Sequence, residues 1–349
     1  MSFRNKILTG LVLLAILGGG ILAGCSQSQK GGTAAPVPAK KVVFGDWGVG
    51  PTCLAPFYTA IEDGYFAQEG LEVEHVRYPG MKEVYEAVSL GKADFSAVPT
   101  HLVNLLEEGF NLKSTLAIHP GCMQGIADIN QPIYSVKDLK GKRIGLDALG
   151  HCPHAFTLWE LTKAGLEPDD VQFKVYPPGD LPLALKKGEV DFILPLDPVG
   201  QLALNQGIGR LVFSTTYPEH GYSDVYCCTL VINGDLTEKD KGTAAAITRA
   251  VANAAKSIPG REDQVAQMMI DRKYSIGSPD VHGFLLKQYR YDTVSVAGVK
   301  DTLRYYGTMY KHAGIVREDT DVEKLIDKSF RQLIDEVGKS TVPPPPRLP

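Results

Sequence analysis

The sequence predicts an α/β protein built as two similar lobes, and three observations predict it. The first is a long internal duplication. Residues 41–53 (KVVFGDWGVGPTC), 70–80 (GLEVEHVRYPG) and 90–100 (LGKADFSAVPT) return, in the same order, as residues 142–152 (KRIGLDALGHC), 165–179 (GLEPDDVQFKVYPPG) and 187–197 (KGEVDFILPLD). A repeat of this size that occurs twice describes two lobes rather than a solenoid. The second observation is the alternation of short apolar runs with helical spacing, the pattern of strands covered by helices on both faces. The third is the length of 349 residues, enough for about two domains. Two lobes on one chain enclose a cleft, a preferred place for a small molecule.

Each element follows from local chemistry. In the first copy, residues 42–44 form a strand that ends in Gly45 and Asp46, and residues 54–69 carry apolar side chains at near-helical spacing, closed by Gly70. A strand over 73–78, a helix over 81–90, a strand over 95–98 and a helix over 101–108 follow, with Thr100 as N-cap of the last. The second copy repeats the plan with strands at 143–146, 171–176 and 192–196. Asp197-Pro198 reads as an N-cap followed by Pro in the first turn of a helix. After another strand at 226–232 the pattern becomes helical, over 239–257, 261–272, 279–289, 296–312 and 321–336. Four consecutive prolines, residues 343–346, favour an extended polyproline tail.

The N-terminus reads as a targeting segment. Arg4 and Lys6 precede an apolar stretch over 7–21, and LAGC follows at 22–25, a lipobox whose Cys25 accepts lipid. Residues 26–41 (SQSQKGGTAAPVPAKK) are a polar leash without enough apolar surface to fold. Composition is that of an ordinary globular protein, 44% hydrophobic and 22% charged, with net charge −4. The basic residues form no dense patch, which argues against nucleic acid as a partner. GVGPTC (48–53) lacks both the third Gly of a dinucleotide loop and the Lys-Ser/Thr of a P-loop.

Residues 55–74 (APFYTAIEDGYFAQEGLEVE), 135–146 (SVKDLKGKRIGL) and 188–198 (GEVDFILPLDP) resemble the substrate-binding proteins of ABC importers of the nitrate/sulfonate/taurine/bicarbonate type. Relatives of that family include pyrimidine-precursor binders and the fungal thiamine-pyrimidine synthases. The resemblance spans residues 41–336. It implies a periplasmic-binding-protein-like, Venus-flytrap fold with two chain crossings, near 124–135 and 217–226. With the leader, leash and tail read from the residues, the chain divides into a signal peptide (1–24), a leash (25–41), lobe 1 (42–126), lobe 2 (127–221), a mostly helical return to lobe 1 (222–336) and a Pro-rich tail (337–349). The resemblance also implies a lipid-anchored extracytoplasmic protein that is not an enzyme and has no cofactor. Such a protein captures a small organic or oxyanionic solute and delivers it to a permease and its ATPase. The alternatives are a pyrimidine-precursor binder or enzyme, and a receptor for a soft metal or metal complex.

In open α/β sheets the ligand sits beyond the carboxyl ends of the strands. Here those ends are 45–53, 99–101 and 119–125 in the first copy, and 147–154, 177–180 and 196–198 in the second. The candidate ligand contacts in these segments are Trp47, Cys53, Thr100, His101, Cys122, His151, Cys152, His154 and Asp197, with Cys228 on the later strand. Trp47 offers a flat face for a ring, and Asp197 a hydrogen-bonding carboxyl. Asp46 and Asp94 read as loop and turn residues rather than an acid/base pair. Cys53, Cys122, Cys152, His119 and His154 supply thiol and imidazole groups of the kind that hold soft metals. The cysteines have two other readings: small apolar packing, or disulfides in an exported chain, where five allow at most two bridges. Strict alternation along a strand sends only one of Cys227 and Cys228 to the cleft.

Overall fold

The computed structural model describes residues 39–99, 101–343 and 345. The leader, Cys25 and Thr100 lie outside the described residues. Among the described residues ten strands make two five-stranded sheets. The strands are β1 (Lys40–Trp47), β2 (Leu71–Tyr78), β3 (Phe95–Val98), β4 (Leu112–Pro120), β5 (Gln124–Asp128), β6 (Arg143–Leu146), β7 (Gln172–Val175), β8 (Phe192–Ile193), β9 (Gly209–Ser214) and β10 (Tyr226–Asn233). The first sheet runs β2-β1-β3-β10-β4 and the second β7-β6-β8-β5-β9.

The parallel units β1–β2–β3 and β6–β7–β8 are the two copies of the repeat. Each sheet is mixed, because the strand that arrives after a crossing enters antiparallel. β5 opposes β8 and β9, and β10 opposes β3 and β4. The chain passes from the first sheet to the second between β4 and β5, and returns between β9 and β10. The architecture is the two-lobe α/β fold that the duplication predicts.

Three local readings change. The Asp-Pro start signal misplaces the cap: the helix spans Val199–Asn205, Pro198 is its N-cap, the Asp197–Pro198 peptide is cis, and no side chain caps the helix. The last helix stops at Ser329, short of residue 336. Beyond it the chain pairs with the edge strand β4, through a parallel bridge from Phe330 to Ser114 and a bond from Arg331 N–H to Ser114 O (3.0 Å). Edge strands carry unpaired backbone groups, and here chain that is helical by pattern satisfies them. Glu336 then accepts from the Val296 and Ala297 N–H groups (2.8 and 2.7 Å), at the start of the helix Gly298–His312. The tail is also engaged, with Thr341 donating to the Asp224 carbonyl.

Asp46 is a buried strand residue rather than a loop residue. Its carboxylate accepts from Tyr58 (2.8 Å) and Arg77 (2.8 Å), and His75 Nε2 lies 2.9 Å away. Burial pushes this carboxyl up, but His75 and Arg77 outweigh it and hold it below the ordinary range. Arg77 also donates to the Tyr274 carbonyl (2.6 Å), tying β2 to the segment beneath the 48–53 loop. Gly50 sits on that segment with φ +68°, and Ser275 hydrogen-bonds its carbonyl. A Cβ on residue 50 would lie 1.7 Å from the Tyr274 carbonyl oxygen, so both conformation and space demand glycine. Gly50→Ala is predicted to destabilise the protein by about 3 kcal/mol or more. Urea denaturation midpoints check this, and a loss under about 1 kcal/mol contradicts it.

Candidate functional site

The loops at the carboxyl ends of the two parallel units face each other and touch. The Thr52 amide donates to the Asp197 carbonyl (3.0 Å), and the Asp197 amide donates to the Cys122 carbonyl (2.9 Å). Between them lies a cavity of about 500 Å³. Trp47, Pro51 and Met81 line it from the first sheet's side, and Asp147, His151, Pro178 and Asp197 from the second's. That volume suits a small organic molecule.

Behind the cavity is a buried shell of aromatic and hydrogen-bonding groups. Trp47 packs edge-on against Tyr85 (6.0 Å between centroids), Tyr85 against His101 (5.3 Å), and His101 against His151 of the other lobe (5.7 Å). His101 is fully buried and neither of its ring nitrogens has a hydrogen-bond partner. Burial, with a contribution from His151, pushes the His101 imidazole well below its ordinary range, so the ring is neutral. His151 Nδ1 lies 3.3 Å from the Asp147 carboxylate, whose other oxygen is buried without a partner. The hydroxyls of Tyr85 and Tyr291 are likewise buried and unpartnered.

Asp197 is buried and accepts a hydrogen bond from Tyr289 at Oδ2 (2.8 Å), while Oδ1 has no partner. Burial pushes its carboxyl up to about 8, against the Tyr289 hydrogen bond and with some help from Cys53. At neutral pH it is therefore mainly an un-ionised acid, with Oδ1 available to donate.

The cysteines divide by a break in strand alternation. Opposite β4, Tyr226 faces Pro120 and Cys228 faces His119, so Cys227 is an extra residue and the ladder bulges. The sulfurs of both members of the pair lie within 4.8 Å of each other and of Cys122, contrary to strict alternation. Cys227 is disulfide-bonded to Cys122, which removes Cys122 from the set of thiol ligands. Cys228 comes together with Cys53 and His119, their ligand atoms within 4.8 Å of one another. The Cys228 side chain, and then His119, hold the Cys53 thiol below the ordinary cysteine range despite its burial, while burial drives Cys228 up. The pair thus favours one thiolate and one thiol. Cys152 is buried at the start of the helix Cys152–Ala164, 3.8 Å from Met123 Sδ. His154 departs from a metal-ligand role: Nδ1 accepts from Gly150 N–H (3.1 Å) and the ring packs edge-on against Phe173 (4.8 Å).

Sequence reasoning missed Tyr85, Tyr289 and Tyr291. Tyr85 carries a readable signal, since it shares the buried face of its helix with Met81, Val84 and Val88. The other two sit between C-terminal helices, and only the return of the chain to the first sheet brings them to His119 (4.7 and 5.2 Å between centroids). His282 acts at one remove. Its Nε2 donates to the Ile276 carbonyl (2.8 Å), so Nδ1 accepts from the Thr52 hydroxyl (2.9 Å) and fixes the turn that carries Cys53.

The raised Asp197 pKa gives a pH test. The folded state holds this proton between pH ~4, where an unfolded Asp titrates, and about 8. Stability from this group is therefore full below pH ~4, declines as pH rises through that window and is flat above it. Asp197→Asn removes the contribution, so the stability difference between wild type and variant should fall with pH by a few kcal/mol across the window. Chemical denaturation at several pH values measures it. A difference independent of pH contradicts a buried, protonated Asp197.

The fold matches solved binding proteins over most of its length. The periplasmic nitrate-binding protein NrtA from Synechocystis aligns with a TM-score of 0.71 at 16% identity, covering 84% of this chain and 86% of that one. The periplasmic aliphatic sulphonate-binding protein SsuA from Escherichia coli gives 0.66 at 18% identity, covering 82% and 96%. A ligand-binding component of an ABC-type import system from Staphylococcus aureus, with zinc bound, gives 0.69 at 15% identity, covering 84% and 97%. At these identities the likeness establishes the periplasmic-binding-protein fold. No curated protein sequence matches the chain. The model of the family described as NMT1/THI5 like matches residues 52–261, more than half of the chain, and the protein belongs to that family.

Proposed function

We propose that the chain is the solute-binding component of an ABC importer, anchored outside the cytoplasm by lipid on Cys25. It captures a small organic solute between its lobes and hands it to a permease, without chemistry of its own. One observation carries the reading. Buried polar atoms in folded proteins are almost always paired, and each orphan costs about 1–3 kcal/mol. Here Asp147 Oδ1 and Asp197 Oδ1 are buried without partners on residues that line the cavity from the second lobe. A solute that hydrogen-bonds them while packed on Trp47 of the first lobe offsets this cost with both lobes engaged, which is the differential affinity that drives closure.

The surfaces favour a flat ring carrying both donors and acceptors, such as a pyrimidine, over an oxyanion. Trp47 and His151 line the cavity with ring faces, and Asp197 offers a donor there. The Arg77 guanidinium is occupied by Asp46 and the Tyr274 carbonyl. The bilobal fold shared with nitrate- and sulfonate-binding proteins supports the transport role, and the LAGC motif supports the anchor.

A thermal-shift panel of pyrimidines, sulfonates, nitrate and bicarbonate, run with a chelator present, tests the proposal. A solute at 100 times its dissociation constant should stabilise by about 2.7 kcal/mol, a shift of roughly 4–8 °C. Pyrimidine-type rings should give that shift, and Trp47→Ala should abolish it. A shift produced by the oxyanions alone contradicts the assignment. Intact mass of membrane-extracted protein should add acyl chains at Cys25, and an unmodified Cys25 contradicts the anchor.

A further inference from the structure

We propose that Cys53, His119 and Cys228 form a binding site for a thiophilic d10 cation, Zn(II) or Cu(I), distinct from the contacts assigned to the solute. Three independent features of the cluster point to it. The first is convergence. Three ligand atoms about 2.0–2.3 Å from one ion lie about 3.5–4.0 Å apart, and the two Sγ atoms and a ring nitrogen are already within 4.8 Å of one another. Closing that gap needs a movement of about an ångström.

The second is the state of His119. Its Nδ1 lies 3.0 Å from the Pro120 carbonyl oxygen, which can only accept. Nδ1 therefore carries a proton, and Nε2 is the ring nitrogen left for another partner. Nε2 is fully buried and has no hydrogen-bond partner. A metal-bound histidine usually donates its other N–H to a carbonyl or carboxylate in this way, which orients the ring and fixes its tautomer. Stacking of Tyr289 on the His119 ring (4.7 Å between centroids, 14° between planes) holds the orientation further.

The third is how each ligand is positioned. Cys228 faces His119 across the β4–β10 ladder, with a bulge on either side. Cys53 sits in the turn Thr52–Leu54, which Thr52 secures to His282 and to the Asp197 carbonyl. The ligands thus come from rigid elements and are not left to a mobile loop. All three are fully buried, so charge balance sets the protonation state of the two sulfurs. Zn(II) is neutralised by two thiolates and displaces whatever thiol proton the pair still holds. Cu(I) is neutralised by one thiolate, with the second sulfur remaining a thiol. Two sulfurs and an imidazole are soft enough for either, and poor ligands for Mg(II) or Ca(II).

The inference does not rest on the importer reading, because loading can be measured with no solute present. Purified protein, with the Cys122–Cys227 disulfide kept intact, is titrated separately with Zn(II) and with Cu(I) and read by native mass spectrometry. One equivalent of at least one ion should bind. Cys53→Ser/Cys228→Ser should weaken that binding by more than the ~10–100-fold that loss of an orienting partner costs, whereas Cys122→Ser/Cys227→Ser should retain it. Co(II) loading of the wild type supplies a readout that needs no variant: thiolate-to-metal charge-transfer absorption in the near ultraviolet. Absence of one-equivalent binding by either ion, absence of that absorption, or retention of the metal by Cys53→Ser/Cys228→Ser overturns the assignment.

Discussion

The backbone ladder between β10 and β4 is the interaction on which the rest of this molecule depends. It brings the chain back into the first sheet after the second is complete, so it makes two lobes out of one polypeptide. It carries Cys228 to His119 and Cys227 to Cys122, and it leads into the helical third that delivers Tyr289 and Tyr291 to the cleft. β10 also lies between β3 and β4, inside its sheet rather than at an edge, and is buried along its whole length. A slip of one residue in its register would exchange the faces of every side chain on it. The bulge around Cys227 sets that register at the point where the chemistry gathers.

The cleft then poses a problem of solvation. Folding normally leaves few buried polar atoms unpaired, because each costs more than one ordinary hydrogen bond contributes. Here several such atoms collect where the lobes meet, among rings from both sides. The surrounding aromatic packing is tight, so the polar groups cannot collapse onto one another without losing it. On the proposed reading these groups are held ready at a cost in stability, and a bound solute would remove that cost. The Asp197 acid is the clearest case. Local sequence assigns it to capping a helix, but a tyrosine from 92 residues away holds it in a buried place where it keeps its proton.

Much of this was legible in the sequence, for a physical reason. The strand–Gly–helix punctuation of the two copies is local chemistry, and it places the strand ends, the two lobes and Trp47, His101 and His151 without reference to distant residues. What could not be read was set by pairing over long separations. Cys53 meets Cys228 and His119 rather than being defined by its repeat partner Cys152, because a bulge in β10 overrides the two-residue alternation of a strand. The helix expected to reach residue 336 stops at Ser329, because the free edge of β4 competes for its backbone. Tyr289 and Tyr291 carry no local mark of their place, since helix-flanking tyrosines look alike wherever they end up.

The measurement closest to the central claim is a high-resolution crystal structure of the protein purified from its own host, read at the cleft. The account predicts density for a small ring between Trp47, His151 and Asp197, with hydrogen bonds to Asp147 Oδ1 and Asp197 Oδ1. Those same atoms paired with one another or with ordered water, in a closed cleft holding no solute, would contradict it.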